Sequence, residues 1–468
     1  MLVQSFSGIR GVYGNDLTDD IARRYAFVFN EFLKKKLGKE PLIVVGMDTR
    51  NSGDALKNSL YDALFNIIDV GVMPVACVEL GVREFKADGG IMITASHNEP
   101  EFNGFKFLDK DGAVLRPKDI DVVINSFKEI SKLSEEEFLD RLPKANLEER
   151  RKPFDKYLYK EELKNKVKRI DKKGKELISK YCNFLTKIVG KIDNKVKVVL
   201  DVNGGSGIVL KEIVSKLGLK NLEIINDKAG EFKRKIEPTS ESLKYLKGKL
   251  TNAEFGAGFD CDADRVEILL KDGKVVDGNY LLALIVDSVL KKSKGTVVTN
   301  DATSKVVTRV VEKHDCEVKE VEVGEINVVD EMLRLKSPIG GEGSNGGEIF
   351  PPSRCRDGIL SILYLLKIIS DNDKSLGELI KELPKYYTIQ KKIKSDKPID
   401  KEKIKTYYSK FIIQETGGVT GGLKVIIDKN NFVWFRASKT ESNLIRIIAD
   451  SDSEKKCKRL LAEAGSLF

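Results

Sequence analysis

The sequence predicts an α/β protein: three similar mixed-sheet α/β domains in series, then a smaller C-terminal α+β domain. Three observations predict it. The chain is 468 residues long, about three times a usual domain of roughly 150 residues. Apolar strand-like runs alternate with helical patterns, and this alternation restarts twice. From about Ser375 the texture changes to a hairpin with flanking helices, the pattern of an antiparallel sheet.

The first unit, 1–150, contains LIVV (Leu42 to Val45) ending in GMDTR, a helix expected from about Asp54 to Ile68, and an apolar strand expected around Val72 to Val78. GGIMIT (Gly89 to Thr94) follows and ends in a polar loop. The second unit, 151–254, opens with a charged connector and restarts at VKVVL (Val196 to Leu200), followed by DVNGGSG (Asp201 to Gly207) and a helix. The third, 255–372, starts at FGAGF (Phe255 to Phe259) and contains TVVTN, a helix from about Thr303, VKEVEV and PIGGEG. In the fourth, 373–468, LKVIIDKNNFVWF reads as two strands around a DKNN turn, before LIRIIAD and a closing helix.

Composition excludes several classes. With its 38 Gly added to the 41% hydrophobic residues and its 13 Tyr removed, the chain is about 46% apolar, an ordinary globular content that rules out wholesale disorder. The best apolar run, Leu281 to Leu290, is interrupted by Asp287 and is far short of the roughly 18 residues of a membrane span. The N-terminus lacks an export pattern, so a soluble cytoplasmic protein is expected. Six scattered cysteines without a CxxC pair, and only His97 and His314, support neither a zinc cluster nor a disulfide framework. Charged residues reach 33% against a usual figure of about 25%, a bias of hot-adapted proteins. The net charge of +9 sits in one segment: Arg150 to Lys197 holds 17 basic and 6 acidic residues, and the remainder is −2. There Tyr181, Phe184, Leu185, Ile188, Val189 and Ile192 recur at helical spacing, so the segment reads as a Lys-rich connecting helix rather than a nucleic-acid or membrane surface.

Four loops carry chemistry. TASHNEPEFNGFK (94–106) puts Ser96 and His97 at a strand's carboxyl end, with an Asn-Gly turn and Lys106 beyond. That is where open α/β sheets bind ligands, although an ordinary polar turn has the same composition. The setting is not G-x-S-x-G. FDCDADR (259–265) alternates Asp260, Asp262 and Asp264, three carboxylates on one side of a turn, as a hard divalent cation requires; the alternative is a solvated acidic turn. An EF-hand is excluded by Arg265 and Lys271 at its sixth and twelfth positions. GGEGSNGGEIF (340–350) offers Glu342, Ser344 and Asn345 on a backbone that permits close approach, suited to sugar hydroxyls or to a flexible linker. RASKTES (436–442) offers Arg436, Ser438, Lys439 and Thr440, a phosphate receptor or a charged loop.

Together with FSGIRG near the N-terminus, these motifs occur in an order that resembles the α-D-phosphohexomutase superfamily of phosphoglucomutases, phosphomannomutases and phosphoglucosamine mutases. The resemblance implies four domains around a central cleft and reversible phosphoryl transfer between the 1- and 6-positions of hexose phosphates. It further implies a phosphoserine enzyme, a hexose 1,6-bisphosphate that serves as intermediate and activator, and a monomer or homodimer without nucleic-acid or membrane partners. It makes Ser96 the phosphoserine, and Asp260, Asp262 and Asp264 with a Ser96 phosphate oxygen the Mg²⁺ ligands. Arg10, His97 and Lys106 would surround the phosphoserine, Lys106 as the candidate acid or base. Arg265 would bind substrate, Glu342 with Ser344 or Asn345 would read the sugar, and Arg436, Ser438, Lys439 and Thr440 would clamp its distal phosphate.

The chain departs from the family pattern at Glu99 and Ser442, where Pro is usual, at Cys261 and Lys439, where Gly is usual, and in a sugar loop one residue longer. Two other readings remain beside the mutase: a metal-dependent phosphatase, and a catalytically silent sugar-phosphate binder.

Overall fold

The computed structural model describes residues 2–142, 156–343, 346–395, 398–417, 421–437 and 444–468, with side chains of the helix that begins at Lys156 described from residue 172. It separates into two compact units, Met1–Gly273 with Ser353–Leu360, and Lys274–Pro352 with Ser361–Phe468.

In the first unit, β1 (Val3–Ser5), β2 (Gly8–Val12), β3 (Leu42–Met47), β4 (Asn66–Val72), β5 (Gly89–Ile93) and β6 (Phe102–Asp109) form one sheet in the order β1-β2-β6-β5-β3-β4. β3 runs parallel to β4 and β5, whereas β6 is antiparallel to β5 and β2. Helices α1 (Asp19–Leu37), α2 (Gly53–Tyr61), α3 (Val75–Glu84), α4 (Pro117–Ile130) and α5 (Glu135–Leu139) cover it. Thr18 starts α1 by accepting a hydrogen bond from the Ile21 amide, and Gly38 ends it at φ 70°, a left-handed stop that L side chains avoid. Tyr25 stacks on Phe127 at 3.9 Å over buried Phe29, Phe105 and Phe107.

Three expectations for this unit are corrected. α2 ends at Tyr61, and the segment expected to finish it is β4. The strand expected around Val72 to Val78 is the first turn of α3, which begins after Pro74. All residues from Val75 to Val82 are buried, Glu79 included, and a mostly apolar segment buried all round is indistinguishable from a buried strand by periodicity. The Asn-Gly pair at 103–104 is not a turn either: both residues lie within β6, where Gly104 opposes Arg10.

The connector is α6 (Lys156–Val189), with Tyr181, Leu185 and Val189 buried as the spacing predicts. β7 (Val198–Asp201), α7 (Leu210–Lys216) and β8 (Leu222–Ile225) follow. Phe255–Phe259, expected to open a third unit, is β9 and pairs in parallel with β7; with β10 (Val266–Leu270) the order is β10-β9-β7-β8. FGAGF is buried at all five positions, which marks an interior strand but not its sheet.

The second unit opens with β11 (Val275–Val276) and α8 (Gly278–Leu290). β12 (Val297–Asn300), β13 (Val318–Val321), β14 (Gly340–Gly341) and β15 (Glu348–Ile349) form a sheet in the order β13-β12-β14-β15, with helices Lys305–Glu312 and Glu325–Leu335 between strands. The last sheet is antiparallel: β16 (Tyr387–Lys394), β17 (Ile412–Glu415), β18 (Leu423–Asp428), β19 (Asn431–Ala437) and β20 (Leu444–Ser451), in the order β16-β20-β19-β18-β17. The DKNN turn joins β18 to β19 as expected, closed by Asp428 Oδ1, which accepts from the Asn430 amide at 2.8 Å.

Gly104 is the position where β2 and β6 leave no room for a side chain: a Cβ there would stand 1.9 Å from the Ile9 carbonyl oxygen. Gly104→Ala must therefore part the two strands that carry Arg10 and Lys106. It is expected to cost about 3 kcal/mol, read as a lower denaturant midpoint; a midpoint equal to that of the parent would show that the strands separate freely.

Candidate active site

β5 ends at Ile93, and the chain turns at Ser96 with φ 51°, a left-handed conformation that costs a non-glycine residue roughly 1–2 kcal/mol. Neighbours enforce it. The Ser96 amide donates to Thr94 Oγ1 at 2.8 Å, and Arg50 Nη2 donates to the Ser96 carbonyl at 3.0 Å. The same guanidinium reaches the carbonyls of Asn98 and Phe102 and pairs with Asp48 at 2.6 Å, both side chains at 0% exposure. Arg50 thus spans the whole loop. GMDTR was visible in the sequence, but nothing in it showed that its arginine would grip the serine loop.

Ser96 Oγ donates to Asp260 Oδ2 at 3.1 Å. Asp260, Asp262 and Asp264 lie on the turn between β9 and β10, whose antiparallel register brings Val266 opposite Phe259. All three are buried, with one carboxylate oxygen from each within 4.8 Å of the others, so the solvated acidic turn is excluded. The turn is braced from behind by the second sheet. The Ser206 amide donates to the Cys261 carbonyl at 2.8 Å, and Arg234, in a buried pair with Asp201, donates to the Phe259 carbonyl at 2.7 Å. The DVNGGSG loop therefore supports the acidic turn.

Cations face the carboxylates. Lys106, on β6, stands 2.8 Å from Asp262 and 3.0 Å from Asp264. Arg356 Nη2 is 3.2 Å from Asp264, and the Arg265 amide donates to Asp260 Oδ1 at 3.2 Å. Arg265 also reaches Glu237 at 3.4 Å. Arg10 donates to Asn98 Oδ1 at 3.2 Å. Burial, with Arg265 and Arg50 nearby, brings its guanidinium down to about 10, against the pull of Asp262 and Asp264. His97 is half-buried beside Ser96. Burial, then the charges of Asp264 and Asp262, pushes Asp260 well above the carboxylate range. Burial acts the same way on Asp264, but Lys106, Arg356 and Arg265 outweigh it and hold Asp264 below that range.

The donor set fits a hard divalent cation. It consists only of carboxylate oxygens, and among the described residues no hydrogen-bond donor reaches the buried Oδ1 of Asp262 or of Asp264. Arg356 had no signal in the sequence; it is named by its contact alone.

The second unit contains the other two motifs. Glu342 is buried, and its Oε1 accepts from Asn300 Nδ2 at 3.0 Å and from the Gly324 amide at 2.8 Å. Arg436, on β19, pairs with Glu322 at 3.4 Å; burial lowers its guanidinium pKa, while Glu322, Asp301 and Glu342 raise it. Glu342 and Arg436 therefore share one electrostatic neighbourhood. Ser344, Asn345, Ser438, Lys439 and Thr440 lie outside the described residues. Sequence reasoning missed Asn300 and Glu322, which sit at the carboxyl ends of β12 and β13, the place where ligand-facing residues of such sheets are found.

Two family descriptions match: phosphoglucomutase/phosphomannomutase alpha/beta/alpha domain I over residues 3–134, and domain III over 277–387. A phosphoglucomutase/phosphomannomutase from Thermococcus kodakarensis is 33% identical over 97% of this chain and 95% of its own. The chain belongs to the phosphoglucomutase/phosphomannomutase family. It is a phosphohexomutase, an isomerase of carbohydrate metabolism that interconverts hexose 1- and 6-phosphates. An archaeal relative bearing the phosphoglucosamine mutase name, from Pyrococcus horikoshii, is 29% identical over 98% of this chain and 96% of its own. Among solved structures, a phosphoglucomutase/phosphomannomutase family protein from Burkholderia thailandensis superposes with a TM-score of 0.76 at 22% identity, covering 98% of this chain and 95% of its own. An N-acetylphosphoglucosamine mutase from Aspergillus fumigatus, solved with GlcNAc-6P and magnesium, has the same fold at a TM-score of 0.61 and 14% identity, over 99% and 95%. Among the described residues no helix is long and apolar enough to cross a membrane.

The Asp48–Arg50 pair is the support of the mutase's serine loop. Arg50→Ala leaves Asp48 buried without its partner and is expected to cost about 3–5 kcal/mol. Arg50→Lys should recover little, because an ammonium lacks the fork that spans three carbonyls. Thermal unfolding of both variants checks this, and a lysine variant as stable as the parent would refute it.

Proposed function

We propose that Ser96 carries the phosphoryl group of this mutase and that the acidic turn holds Mg²⁺. The supporting observation is the Ser96 hydroxyl, fixed in a left-handed turn 3.1 Å from Asp260 and backed by three buried carboxylates. Asp260, Asp262 and Asp264, with a phosphate oxygen on Ser96, would ligate the ion, which would supply divalent positive charge beside the transferring group.

The protein's own groups set up the transfer. A seryl phosphate brings a charge of about −2 into a site that already buries three carboxylates. Arg10, Lys106 and Arg356 supply fixed positive charge there, and Arg265 joins them from the end of the turn. In the first half-reaction the free hydroxyl of a hexose monophosphate attacks the Ser96 phosphorus. The P–O bond to Ser96 breaks, the hydroxyl proton leaves the sugar oxygen and Ser96 Oγ takes up a proton; Lys106 is the candidate relay, an ammonium that gives a proton to Ser96 and takes up the one from the sugar. The product is hexose 1,6-bisphosphate; after it turns over, Ser96 Oγ attacks its other phosphorus, the P–O bond to the sugar breaks, and the Ser96 proton passes by the same relay to the sugar oxygen. Both half-reactions need one phosphate held away from the reacting end. Arg436 with Ser438, Lys439 and Thr440 is assigned to that clamp, and Glu342 with Ser344 or Asn345 to the sugar hydroxyls. Catalysis is then positioning plus fixed charge, as phosphoryl transfer requires.

We infer that the mutase works in the cytoplasm, as a monomer or homodimer acting on small hexose phosphates. The Cys261 departure does not favour a silent binder. The left-handed residue of the acidic turn is Ala263, at φ 56°, so no glycine is required at Cys261.

Ser96→Ala should lower turnover by several orders of magnitude with the fold intact, and intact mass should show one phosphate lost relative to the parent. EDTA should abolish the parent's activity reversibly on Mg²⁺ return; activity that survives full chelation would rule the metal out. Relaxed specificity is also expected, because one misplaced hydrogen bond to the sugar is worth only about 0.5–1.5 kcal/mol. Assaying glucose, mannose, glucosamine and N-acetylglucosamine 1-phosphates side by side checks this; a preference above about a thousandfold for one would contradict it.

A further inference from the structure

Lys106 cannot both neutralise two carboxylates and act on a substrate proton. It stands 2.8 Å from Asp262 and 3.0 Å from Asp264 Oδ2. That Asp264 oxygen has a second cation, Arg356 Nη2 at 3.2 Å. The two cations approach one oxygen, so either can hold Asp264 when the other leaves.

Arg356 is itself fixed through its neighbours. Gly358 N donates to the Ala263 carbonyl at 3.2 Å, and a Cβ on Gly358 would lie 3.0 Å from that oxygen and 3.1 Å from the Arg265 carbonyl. The backbone two residues beyond Arg356 is thus seated against the acidic turn. On the other side, Asp357 accepts from the Tyr181 hydroxyl on both oxygens at 2.8 Å, and from the Leu360 amide at 2.9 Å. Tyr181 is fully buried on α6, the helix of the basic connector, so the connector reaches the acidic turn through one phenol, one carboxylate and one guanidinium.

We propose that Arg356 is a positioning residue that keeps Asp264 neutralised when Lys106 turns to the substrate, and that Tyr181, acting through Asp357, sets where Arg356 stands. This rests on the reading of Ser96 and the carboxylates given above. It assigns the connector a part in turnover beyond joining two sheets.

A double-mutant cycle on the full-length enzyme tests the proposal. Arg356→Ala should lower kcat by about 100-fold with KM within about threefold, the signature of a group that acts in the transition state rather than in binding. Arg356→Lys should return kcat to within about tenfold of the parent, because it restores the charge without the fork. Tyr181→Phe should lower kcat by about tenfold alone and by less than about twofold in the Arg356→Ala background, since both act on one chain of contacts. Calorimetry with Mg²⁺ alone gives a second readout. Arg356→Ala should bind the ion at least as tightly as the parent, because a competing cation has left the carboxylates, whereas simple loss of structure would weaken it. If Tyr181→Phe does not fold, Asp357→Asn takes its place in the cycle. Independent, multiplying effects, a parent-like kcat in Tyr181→Phe, or Mg²⁺ binding that falls in step with kcat would overturn the proposal. The phosphate mass on Ser96 and the EDTA response of the parent are measured first. If those fail, the reading of the site falls; if they hold and the cycle fails, only the role of Arg356 and Tyr181 falls.

Discussion

The constraint on which the first unit depends is the burial of three carboxylates within a few ångströms of one another. Taking even one ion from water costs several kcal/mol, and like charges at this range repel by a similar amount at a moderate effective dielectric. The protein meets this cost from several directions: Lys106 from the first sheet, Arg356 from the segment that returns at Ser353, Arg265 from the turn itself. The DVNGGSG loop and Arg234 hold the turn's carbonyls so that the carboxylates cannot swing to water. Two sheets, which share no strand, are thereby tied to one turn.

The serine loop obeys the same logic with a different currency. Ser96 is held in a strained backbone state, and the buried Asp48–Arg50 pair supplies the fixed donors that hold it. A hydroxyl so placed loses little further freedom on reaction, which is how a rigid scaffold lowers a barrier without touching the reacting atoms. The second unit repeats the device at Glu342, whose Oε1 is held by a side-chain amide and a backbone amide, and at Arg436, held by Glu322.

The sequence made the chemistry more legible than the architecture. Alternating Asp260, Asp262 and Asp264 could be read because the spacing itself dictates a shared face, and Ser96 because it follows a strong strand. What could not be read was decided by long-range packing. α3 has no solvent-facing stripe from Val75 to Val82 because it is enclosed there, and Asn103-Gly104 imitates a turn because β2 approaches too closely for a side chain. FGAGF gives no hint that its partner is β7. Strands β16 and β17 carry no strong strand pattern because both lie at the edges of the last sheet, without a fully buried residue. Arg356 is invisible in RCRDG because a cation's role is set by the carboxylate opposite, 92 residues earlier in the chain.

Cys261 shows how a departure from the family pattern can be absorbed. A side chain between Asp260 and Asp262 could have added a fourth negative charge as a thiolate, or an unwanted soft ligand for a metal. Neither follows from its surroundings. The thiol is buried with Thr49 Oγ1 3.8 Å away, and burial, then the charge of Asp48, pushes its pKa well above the ordinary thiol value. It stays neutral, and a neutral thiol is a poor ligand for a hard cation that prefers carboxylate oxygen. The Cys261 carbonyl, meanwhile, still accepts from the Ser206 amide, so the brace behind the turn is the one any residue at this position would use. The position therefore tests the side chain for charge and size, and cysteine, small and uncharged in this setting, passes on both counts.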